Sequence, residues 1–288
     1  MRYDKSSVAG VVVLYDPDDT VVENIRTYID QVDCLYAVDN SETANSSVVE
    51  GIKKLGSVRY VWNGKNLGIA SALTIGAGFA LEKKYEFLFT VDQDSKAAPG
   101  LIGEFFKCLE MTDSNAIGIL APYHDYENFK RRRGTGKYEE VVATVTSGNL
   151  LNLKAYEEVG PFLEELFIDY VDFEYCLRLK ARGFTILQVN SAVLHHALGS
   201  LVSRRFIFRT VAVTNHPPVR IYYRTRNRLF VSRKYYRRFP LWAMKDLIIF
   251  GNELIKILFF EKQKARKFSM VIRGIQDFLA GRFGKYSE

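Results

Sequence analysis

Two aspartates with the spacing of a ligand pair follow a strongly apolar segment. Asp92 and Asp94 come directly after residues 87–91, which read Phe-Leu-Phe-Thr-Val. Because alternate residues of a strand lie on the same face, both carboxylates can point the same way. Two hard oxygen ligands at the end of a buried strand suit Mg²⁺ or Mn²⁺ that also holds a diphosphate. The structural alternative is an aspartate-rich turn that caps the next helix.

A second pair of aspartates lies at the start of a predicted helix. Asp169 and Asp172 are three residues apart in the helix predicted over residues 168–182, so they share a face near its N-terminus. The helix dipole favours carboxylates at that end. A carboxylate in a cleft can also act as general base for a hydroxyl nucleophile. Helix capping and base catalysis are therefore both open to this pair.

Two further groups of residues could bind a ligand. His195 and His196 are neighbours on a predicted strand, so they face opposite sides and only one of them can reach a metal ion. Ordinary structural histidines are the alternative. Farther along, Arg220, Arg224 and Asn227 recur at helical spacing, and this face could hold phosphates through forked hydrogen bonds.

The first half of the chain alternates predicted strands with predicted helices. The strands cover residues 8–15, 35–38, 58–62 and 87–91. This order favours a mostly parallel α/β sheet with right-handed crossovers. Ligands of such sheets bind at the carboxyl ends of the strands, and the polar residues that begin at Asp39 and Asp92 lie there.

The second half of the chain is less regular. Strands are predicted over residues 117–121, 141–145, 149–153, 184–189 and 192–194, and a loop over residues 123–137. From Val219 onward the sequence predicts helices with a break at Pro240. We therefore expect one domain over residues 1–215 and a basic, helical region over residues 216–288.

Composition limits the classes of protein to consider. The chain has 288 residues, of which 48% are hydrophobic and 25% charged, so it is a globular protein rather than a disordered, collagen-like or coiled-coil one. Three scattered cysteines favour a reducing compartment over a disulfide framework. No signal-peptide pattern is present, and the apolar run at residues 247–260 is too short to span a membrane. We expect a cytoplasmic protein.

The net charge of +7 is concentrated in one part of the chain. Residues 175–245 contain 15 Lys and Arg and no Asp or Glu. Such a region could hold diphosphates or anionic lipid headgroups, or be a solvated basic face. Residues 230–286 mix cations with large apolar side chains, which suits helices at a membrane surface or against another subunit. A nucleic-acid-binding protein is disfavoured because no recognition module is visible.

The order of these clusters resembles that of the inverting glycosyltransferases of family 2, and within it the bacterial rhamnosyltransferases that build surface polysaccharide. The matching segments are residues 11–17, 39–41, 66–70, 91–95, 146–149, 169–174, 196–199 and 222–227. The resemblance implies a GT-A fold, in which a Rossmann-like, nucleotide-binding mixed sheet is flanked by helices. A helical C-terminal extension would follow.

The resemblance also implies roles for individual residues at the donor site. The nucleotide-sugar donor would contact Leu14, Tyr15, Asp39, Asn66, Gly68, Asp92, Gln93 and Asp94. Asp39 would accept a hydrogen bond from the base or the ribose. Asp94 would bind the divalent metal, Mg²⁺ or Mn²⁺, with His196 as the distal ligand and His195 as the alternative.

The catalytic base implied by the resemblance is Asp172. Family members often have a glutamate before this aspartate, whereas this chain has Val171, so Asp169 stays as the alternative base. The acceptor would contact Gly148, Asn149, Arg226 and Asn227.

The implied reaction transfers L-rhamnose from dTDP-L-rhamnose to a hydroxyl of a lipid-linked oligosaccharide, in cell-surface polysaccharide synthesis at the inner face of the plasma membrane. The base takes the hydroxyl proton, and the oxygen attacks the anomeric carbon opposite the leaving nucleotide through an oxocarbenium-like transition state. A UDP-sugar transferase for galactofuranose or a hexose is the alternative. A sugar nucleotidyltransferase would need a glycine-rich phosphate loop, which residues 15–17 do not provide. Peripheral membrane contact and a homo-oligomer are both open.

Overall fold

The computed structural model describes residues 3–126, 133–134, 136–196, 202–206, 209–213 and 215–287, with the backbone alone at 196, 202–206 and 209–213. The chain divides into two compact units. The sheet unit comprises Met1–Glu164 and Tyr175–Ala197, and the C-terminal unit comprises Glu165–Glu174 and Leu198–Glu288. This division assigns residues 165–174 and 198–215 to the C-terminal unit, whereas the sequence suggested a single boundary at residue 215.

The described strands of the sheet unit form one mixed sheet. They are β1 (Val8–Leu14), β2 (Cys34–Asp39), β3 (Val58–Trp62), β4 (Phe87–Asp92), β5 (Ser95–Ala97), β6 (Ile117–Tyr126), β7 (Tyr138–Glu140), β8 (Asn149–Asn152) and β9 (Thr185–His196). Their order is β3-β2-β1-β4-β8-β6-β9-β5, with β7 on β9. Strands β1 to β4 run parallel, and β8 is antiparallel to both β4 and β6.

Helices accompany these strands. They are α1 (Thr20–Arg26), α2 (Ser46–Lys53), α3 (Ile69–Glu82), α4 (Leu101–Glu110), α5 (Leu153–Val159) and α6 (Val171–Ala181), the first turn of which belongs to the C-terminal unit. Helix α3 is rich in small residues because it packs closely on β1. A Cβ atom at Gly76 would lie 2.4 Å from Val11 Cγ2.

The register of the parallel strands brings the predicted polar clusters to one edge of the sheet. Leu14 pairs with Asp39 on one side of β1, and Val13 pairs with Asp92 on the other. The turns that follow β1, β2, β3 and β4 therefore share what we call the carboxyl edge. This arrangement confirms the mostly parallel α/β half that the sequence predicted.

The C-terminal unit is mainly helical, as expected. It contains the hairpin β10 (Val202–Phe206) and β11 (Arg209–Val213), then α7 (Pro218–Tyr235), α8 (Pro240–Phe260) and α9 (Lys264–Leu279). Pro240 starts α8 at a position where a helix has no use for the missing N–H group. None of the helices in the described part of the chain is long and apolar enough to cross a membrane.

Several sequence-based boundaries were wrong. The strand predicted over residues 141–145 lies earlier, as β7, and the two strands predicted over residues 184–189 and 192–194 are one strand, β9, which begins at Thr185. The first four residues of the predicted loop at 123–137 continue β6, while residues 127–132 and 135 lie outside the described residues. Strand β5 and the β10–β11 hairpin were not predicted, because short or strongly basic segments carry little periodic signal.

Candidate active site

Asp39 organises the turn after β2. This carboxylate is 0% exposed. Its Oδ1 accepts hydrogen bonds from Ser41 N (2.8 Å) and Ser41 Oγ (2.5 Å), and its Oδ2 accepts one from Tyr60 Oη (2.6 Å). Burial, together with this bond to a carboxylate, raises the pKa of the Tyr60 phenol. Asp39 therefore shapes the turn from within, and its predicted contact with a base or ribose stays a prediction.

Ser41 bonds to two segments of the carboxyl edge that carry exposed aromatic residues. The Ser41 hydroxyl accepts a hydrogen bond from Asp16 N (2.8 Å), next to Tyr15, and its carbonyl oxygen accepts one from Trp62 Nε1 (2.9 Å). The Tyr15 and Trp62 residues are 49% and 52% exposed. Such rings offer stacking surfaces for a flat ligand. Sequence reasoning missed Trp62, although its position at the end of a predicted strand could have identified it.

Asparagines fix the start of α3 at the same edge. Asn40 donates from Nδ2 to Gly68 O (2.9 Å) and accepts at Oδ1 from Asn63 Nδ2 (2.9 Å). Asn66 Oδ1 accepts from Gly68 N (2.9 Å), and Gly68 has a φ of 86°. Gly68 directly precedes α3, so these bonds hold a helix N-terminus, the end that attracts anions, at the carboxyl edge.

Gln93 ties the turn after β4 to the end of β1. Its Oε1 accepts from Tyr15 N (2.8 Å), its Nε2 donates to Tyr15 O (3.2 Å), and its own carbonyl accepts from Asn24 Nδ2 (2.7 Å). Both ends of the side-chain amide are thus engaged by the backbone. Gln93 positions the neighbouring Asp92, which is half-buried, and Asp94, which is exposed.

A buried serine connects this turn to the segment before β8. Ser147 is 1% exposed, and its hydroxyl accepts a hydrogen bond from Asp92 N (3.0 Å) and lies 2.8 Å from Ser95 Oγ. His124 Nε2 lies 2.8 Å from Ser147 O. Ser147 was not singled out as a site residue. It is the side chain that holds the Asp92 backbone in place.

The two predicted acceptor residues that follow Ser147 are constrained in different ways. Gly148 has a φ of 83°, and a Cβ there would lie 2.7 Å from Pro122 Cγ, so only glycine fits. Asn149 is 4% exposed and donates from Nδ2 to Val145 O (2.8 Å), while its Oδ1 has no hydrogen-bond partner among the described residues. A buried, unsatisfied acceptor is what a ligand hydroxyl or water would pair with.

The pairing of β5 with β9 brings the backbone next to Asp94 beside the backbone of His196, the predicted distal metal ligand. Ser95, which follows Asp94, pairs in register with His196, whose side chain lies outside the described part of the structure. The alternative ligand, His195, places Nδ1 3.2 Å from Asp125 Oδ2. Among the described residues no group of three His, Cys, Asp or Glu side chains forms a ready metal site. The oxygen ligands of Asp92 and Asp94 nevertheless fit a hard divalent cation that draws further ligands from a diphosphate.

In the C-terminal unit, the loop of residues 165–170 has an unusual backbone. Phe167, Asp169 and Tyr170 all have positive φ, at 64°, 60° and 67°. Residues other than glycine rarely adopt this conformation, because the Cβ atom crowds the following carbonyl group. The helix predicted from residue 168 therefore begins only at Val171. We call residues 165–170 the anchored loop.

Arg226 and Asn227 hold the anchored loop by its carbonyl groups. Asn227 Nδ2 lies 2.8 Å from both Leu166 O and Ile168 O. Arg226 donates to Leu166 O (3.4 Å) and to Gly284 O (3.0 Å). Both side chains are buried, at 1% and 0% exposure. Both side chains position the loop, and their predicted contact with an acceptor stays a prediction.

The two candidate bases differ in their surroundings. Asp169 accepts hydrogen bonds from Arg220 at both carboxylate oxygens, at 2.6 and 3.2 Å. Asp172 lies in the first turn of α6, half-buried, and its Oδ1 accepts a hydrogen bond from Phe173 N (2.9 Å). The predicted phosphate-binding arginines are also paired, Arg220 with Asp169 and Arg224 with Glu253.

A buried ionic network lies beneath the anchored loop. Arg228 is 1% exposed and donates to Asp246 Oδ2 (3.1 Å) and Glu253 Oε2 (2.8 Å). Tyr170 donates to Asp246 Oδ1 (2.8 Å). Burial alone would raise the pKa of Glu253, but Arg224 and Arg228 hold it below its usual value. The network fixes the last residue of the anchored loop.

A cavity of about 300 Å³ lies at the opposite edge of the sheet. It is lined by residues near the starts of β2, β3 and β4, among them Cys34, Arg59 and Tyr85. Ligands of parallel sheets bind beyond the carboxyl ends of the strands, so we do not assign this cavity to the candidate active site.

Comparisons with known proteins agree with this geometry. The sequence profile described as glycosyl transferase family 2 matches residues 11–163. The chain is 30% identical over 248 residues to the dTDP-rhamnosyl transferase RfbF of Shigella flexneri. The alignment covers 80% of this chain and 81% of that protein. These two matches confirm the resemblance noted in the sequence.

Solved structures share the fold. The structure of S. aureus TarS 1–349 with UDP-GlcNAc has a TM-score of 0.61 at 12% identity and covers 96% of this chain and 81% of that chain. GalNAc-T7 with UDP, GalNAc and Mn²⁺ has a TM-score of 0.57 at 14% identity and covers 76% of this chain. This chain spans about half the length of GalNAc-T7. The likeness confirms the predicted GT-A fold, with the mixed sheet flanked by helices.

Proposed function

The chain belongs to glycosyltransferase family 2, and from this membership we propose that it transfers L-rhamnose from dTDP-L-rhamnose with inversion at the anomeric carbon. The observation that carries the proposal is the 30% identity over 248 residues to a dTDP-rhamnosyl transferase. That alignment covers four fifths of both chains, so it spans more than the sheet that any nucleotide-sugar enzyme of this fold would share.

The donor nucleotide would bind at the carboxyl edge. Tyr15 and Trp62 offer exposed rings for the base, and the start of α3 after Gly68 offers backbone N–H groups for the diphosphate. Four residues would set the shape of this site: Leu14, Asp39, Asn66 and Gln93. The side chains of Asp39, Asn66 and Gln93 accept hydrogen bonds from nearby backbone N–H groups. The Leu14 carbonyl oxygen accepts one from Asn40 N (2.9 Å). Asp92 would contact the ribose or the sugar.

Asp94 and His196 would hold the divalent metal, Mg²⁺ or Mn²⁺. When bound there, such an ion supplies positive charge that offsets the charge on the leaving diphosphate. Support comes from the exposed position of Asp94 and from the register that sets His196 beside Ser95. Asp94→Asn should abolish the effect of Mn²⁺ on dTDP affinity, measured by calorimetry, while metal-free dTDP binding persists. An unchanged metal effect would contradict the assignment.

Asp172 would take the proton from the acceptor hydroxyl. Its half-buried position in the first turn of α6 supports this role, whereas the alternative, Asp169, accepts hydrogen bonds from Arg220 at both carboxylate oxygens. Asp172→Asn should lower kcat by at least about a thousandfold and leave dTDP affinity unchanged. Retained turnover would remove Asp172 from the role of base.

The acceptor would be a hydroxyl of a lipid-linked oligosaccharide, used in cell-surface polysaccharide synthesis at the inner face of the plasma membrane. Gly148 and Asn149 would border it, and the unsatisfied Asn149 Oδ1 supports a contact with a sugar hydroxyl. Asn149→Ser, which shortens the side chain and replaces the amide with a hydroxyl, should raise KM for the acceptor more than KM for the donor.

The donor can be tested before the acceptor is known. Thermal unfolding is followed with dTDP, UDP, GDP and CDP, each with and without Mn²⁺ or Mg²⁺, because a ligand that binds the native state raises its apparent stability. A metal-dependent shift that is largest with dTDP is the expected result. The slow hydrolysis of dTDP-L-rhamnose, compared with UDP-galactofuranose and UDP-hexoses, then tests the sugar. A preference for UDP would move the donor to that class.

A further inference from the structure

Helix α8 carries an apolar face that the C-terminal unit leaves exposed. Leu241, Met244, Ile248, Ile255 and Leu258 are between 49% and 76% exposed. Successive members are three, four, seven and three residues apart, so they lie on one side of the helix and form one stripe along it. The neighbouring Leu247, Ile249 and Phe259 widen this stripe at 42% to 56% exposure. A contiguous apolar patch of this extent marks an interaction surface.

Every acidic side chain of residues 233–287 is turned inward. Asp246 and Glu253 bond to Arg228, Glu261 bonds to Lys267 Nζ (2.6 Å), and Asp277 bonds to Arg282 Nε (2.8 Å). Three of these carboxylates are 9% exposed or less, and Glu253 is 26% exposed in its side chain. The negative charge of this region is therefore paired and withdrawn from the surface.

Positive charge remains outside, at both ends of the apolar stripe. Arg237 and Arg238 precede α8 and are exposed. Lys262, Lys264 and Arg266 follow it and are exposed as well. In a lipid layer, acyl chains lie beneath anionic headgroups. The apolar stripe can therefore contact acyl chains while the cations at its two ends contact headgroups.

We propose that the α8 stripe binds the surface of a membrane that contains anionic phospholipids, with the helix lying in the plane of the interface. The basic residues at its two ends would contact headgroup phosphates. The helix would not span the bilayer, in keeping with its four charged residues, Lys245, Asp246, Glu253 and Lys256.

A second copy of this chain suits the stripe less well. The cations lie at both ends of α8, so either a parallel or an antiparallel pairing of two such helices brings basic residues opposite basic residues. Like charges brought together across an interface oppose association. Anionic lipid complements both ends at once, and for this reason we assign the surface to lipid. The inference deepens the proposed function and rests on its location at the inner face of the plasma membrane, but it does not depend on which sugar is transferred.

The experiment uses the full chain and vesicles of defined composition. Flotation is compared for vesicles of phosphatidylcholine alone and vesicles with one third phosphatidylglycerol. We expect binding to the anionic vesicles that weakens when salt is raised to about 1 M, because salt screens the basic residues. The triple variant Leu241→Gln/Ile248→Gln/Ile255→Gln should lower the partition coefficient by at least about tenfold. Arg237→Gln/Arg238→Gln should lower it for anionic vesicles only.

Matched controls distinguish binding through the stripe from nonspecific hydrophobic adsorption to vesicles. Met244→Gln, on the stripe, should weaken vesicle binding, whereas Met111→Gln, on the sheet unit at a similar 49% exposure, should not. Each variant is first checked for an unchanged thermal unfolding curve and unchanged dTDP affinity, so that a defect in the proposed donor site is seen separately. Equal loss in both methionine variants would contradict the proposal.

Analytical ultracentrifugation provides the opposing outcome. If the wild-type chain self-associates, the triple variant is monomeric, and neither vesicle is bound, then the stripe joins two copies and the lipid assignment is wrong. If the wild-type chain is monomeric and binds neither vesicle, the proposal also fails. Binding that requires both the stripe and the basic ends supports it.

Discussion

The carboxyl edge of the sheet unit and the anchored loop of the C-terminal unit are held by different kinds of interaction. At the carboxyl edge, amide and hydroxyl side chains such as Asn40, Gln93 and Ser147 bond neighbouring backbone groups. At the anchored loop, the buried side chains of Arg226 and Arg228 meet carbonyl groups and carboxylates. One region is stabilised largely by neutral contacts and the other by ionic ones.

The backbone explains part of this difference. The turns of the carboxyl edge follow strands whose register already aligns them, and their positive φ angles fall on Gly64, Gly68 and Gly148 and on one other residue, Asp16, at 44°. The anchored loop places Phe167, Asp169 and Tyr170 at positive φ, which costs about 1 kcal/mol or more for each residue. Such a loop needs stronger contacts than a turn that its sheet already orders. The comparison therefore predicts larger losses of stability in the C-terminal unit.

The largest loss is expected for Arg228→Leu. Removing this guanidinium leaves Asp246, 7% exposed, without its buried cation, and breaking a buried pair costs about 3–5 kcal/mol. Urea denaturation measures the change in the free energy of unfolding. Arg233→Leu is the control, because Arg233 lies on the same helix and is exposed, and we expect it to change stability by less than about 1 kcal/mol. Similar effects of both substitutions would show that the network does not stabilise the unit.

The next largest effect is expected for Asn227→Leu, which should lower the free energy of unfolding by about 2 kcal/mol. The carbonyl groups of Leu166 and Ile168 lose a buried hydrogen-bond donor in this variant. Because the anchored loop leads into the helix that carries Asp172, kcat should fall while dTDP affinity stays constant. Ser232→Ala is the control on the same helix, because the buried Ser232 Oγ has no hydrogen-bond partner among the described residues. It should be neutral or slightly stabilising. A fall in dTDP affinity with Asn227→Leu would show that the effect is not confined to the loop.

The sequence predicted the carboxyl edge better than the anchored loop. Strand periodicity and the polar residues after each strand located Asp39 and Asp92 at one edge, and the register of β1 confirmed it. Burial was harder to foresee, since Asp39 and Arg226 have the residue types of ligand-binding groups but are fully enclosed. That outcome depends on partners distant in sequence, such as Gly284 for Arg226, which local patterns do not reveal.

The anchored loop escaped prediction for a related reason. Nothing in the residue types of Phe167 or Tyr170 favours a positive φ, so the helix was predicted to start too early. Asn227 and Asp246 impose that backbone from elsewhere in the chain. Tertiary contacts here overrule local preference, which is typical of sites where a particular backbone shape is needed.

Ser147→Ala tests the neutral side of the comparison. The substitution removes the hydrogen-bond acceptor for Asp92 N. It should lower the free energy of unfolding by about 1–2 kcal/mol, less than substitution of the buried ionic residues. The affinity for dTDP should fall with it, because the turn that carries Asp92 and Asp94 is released. Ser46→Ala, at an exposed helix start, is the control and should change stability by less than about 0.5 kcal/mol. A loss above that of Arg228→Leu would reverse the comparison.

The smallest effect concerns the pH response of the C-terminal unit. Burial, with the nearby cations Arg220 and Arg224, lowers the pKa of His216 from 6.5 to about 4. The unfolded chain then binds more protons than the folded one between these values, so stability falls as the pH falls through this window. Between about pH 7.5 and about pH 5.5, the titration of His216 should lower the free energy of unfolding by about 1 kcal/mol.

His216→Asn should remove that part of the pH dependence, measured as the free energy of unfolding in urea across the same range. Asp169 and Glu253 oppose the two arginines at His216, which makes the result sensitive to the ion pairs themselves. Ser147→Ala keeps His216 and should keep the full slope at a lower stability. If the slope were the same with and without His216, its imidazole would titrate alike in the folded and unfolded chains, and the ionic surroundings that distinguish this unit would have no effect on it.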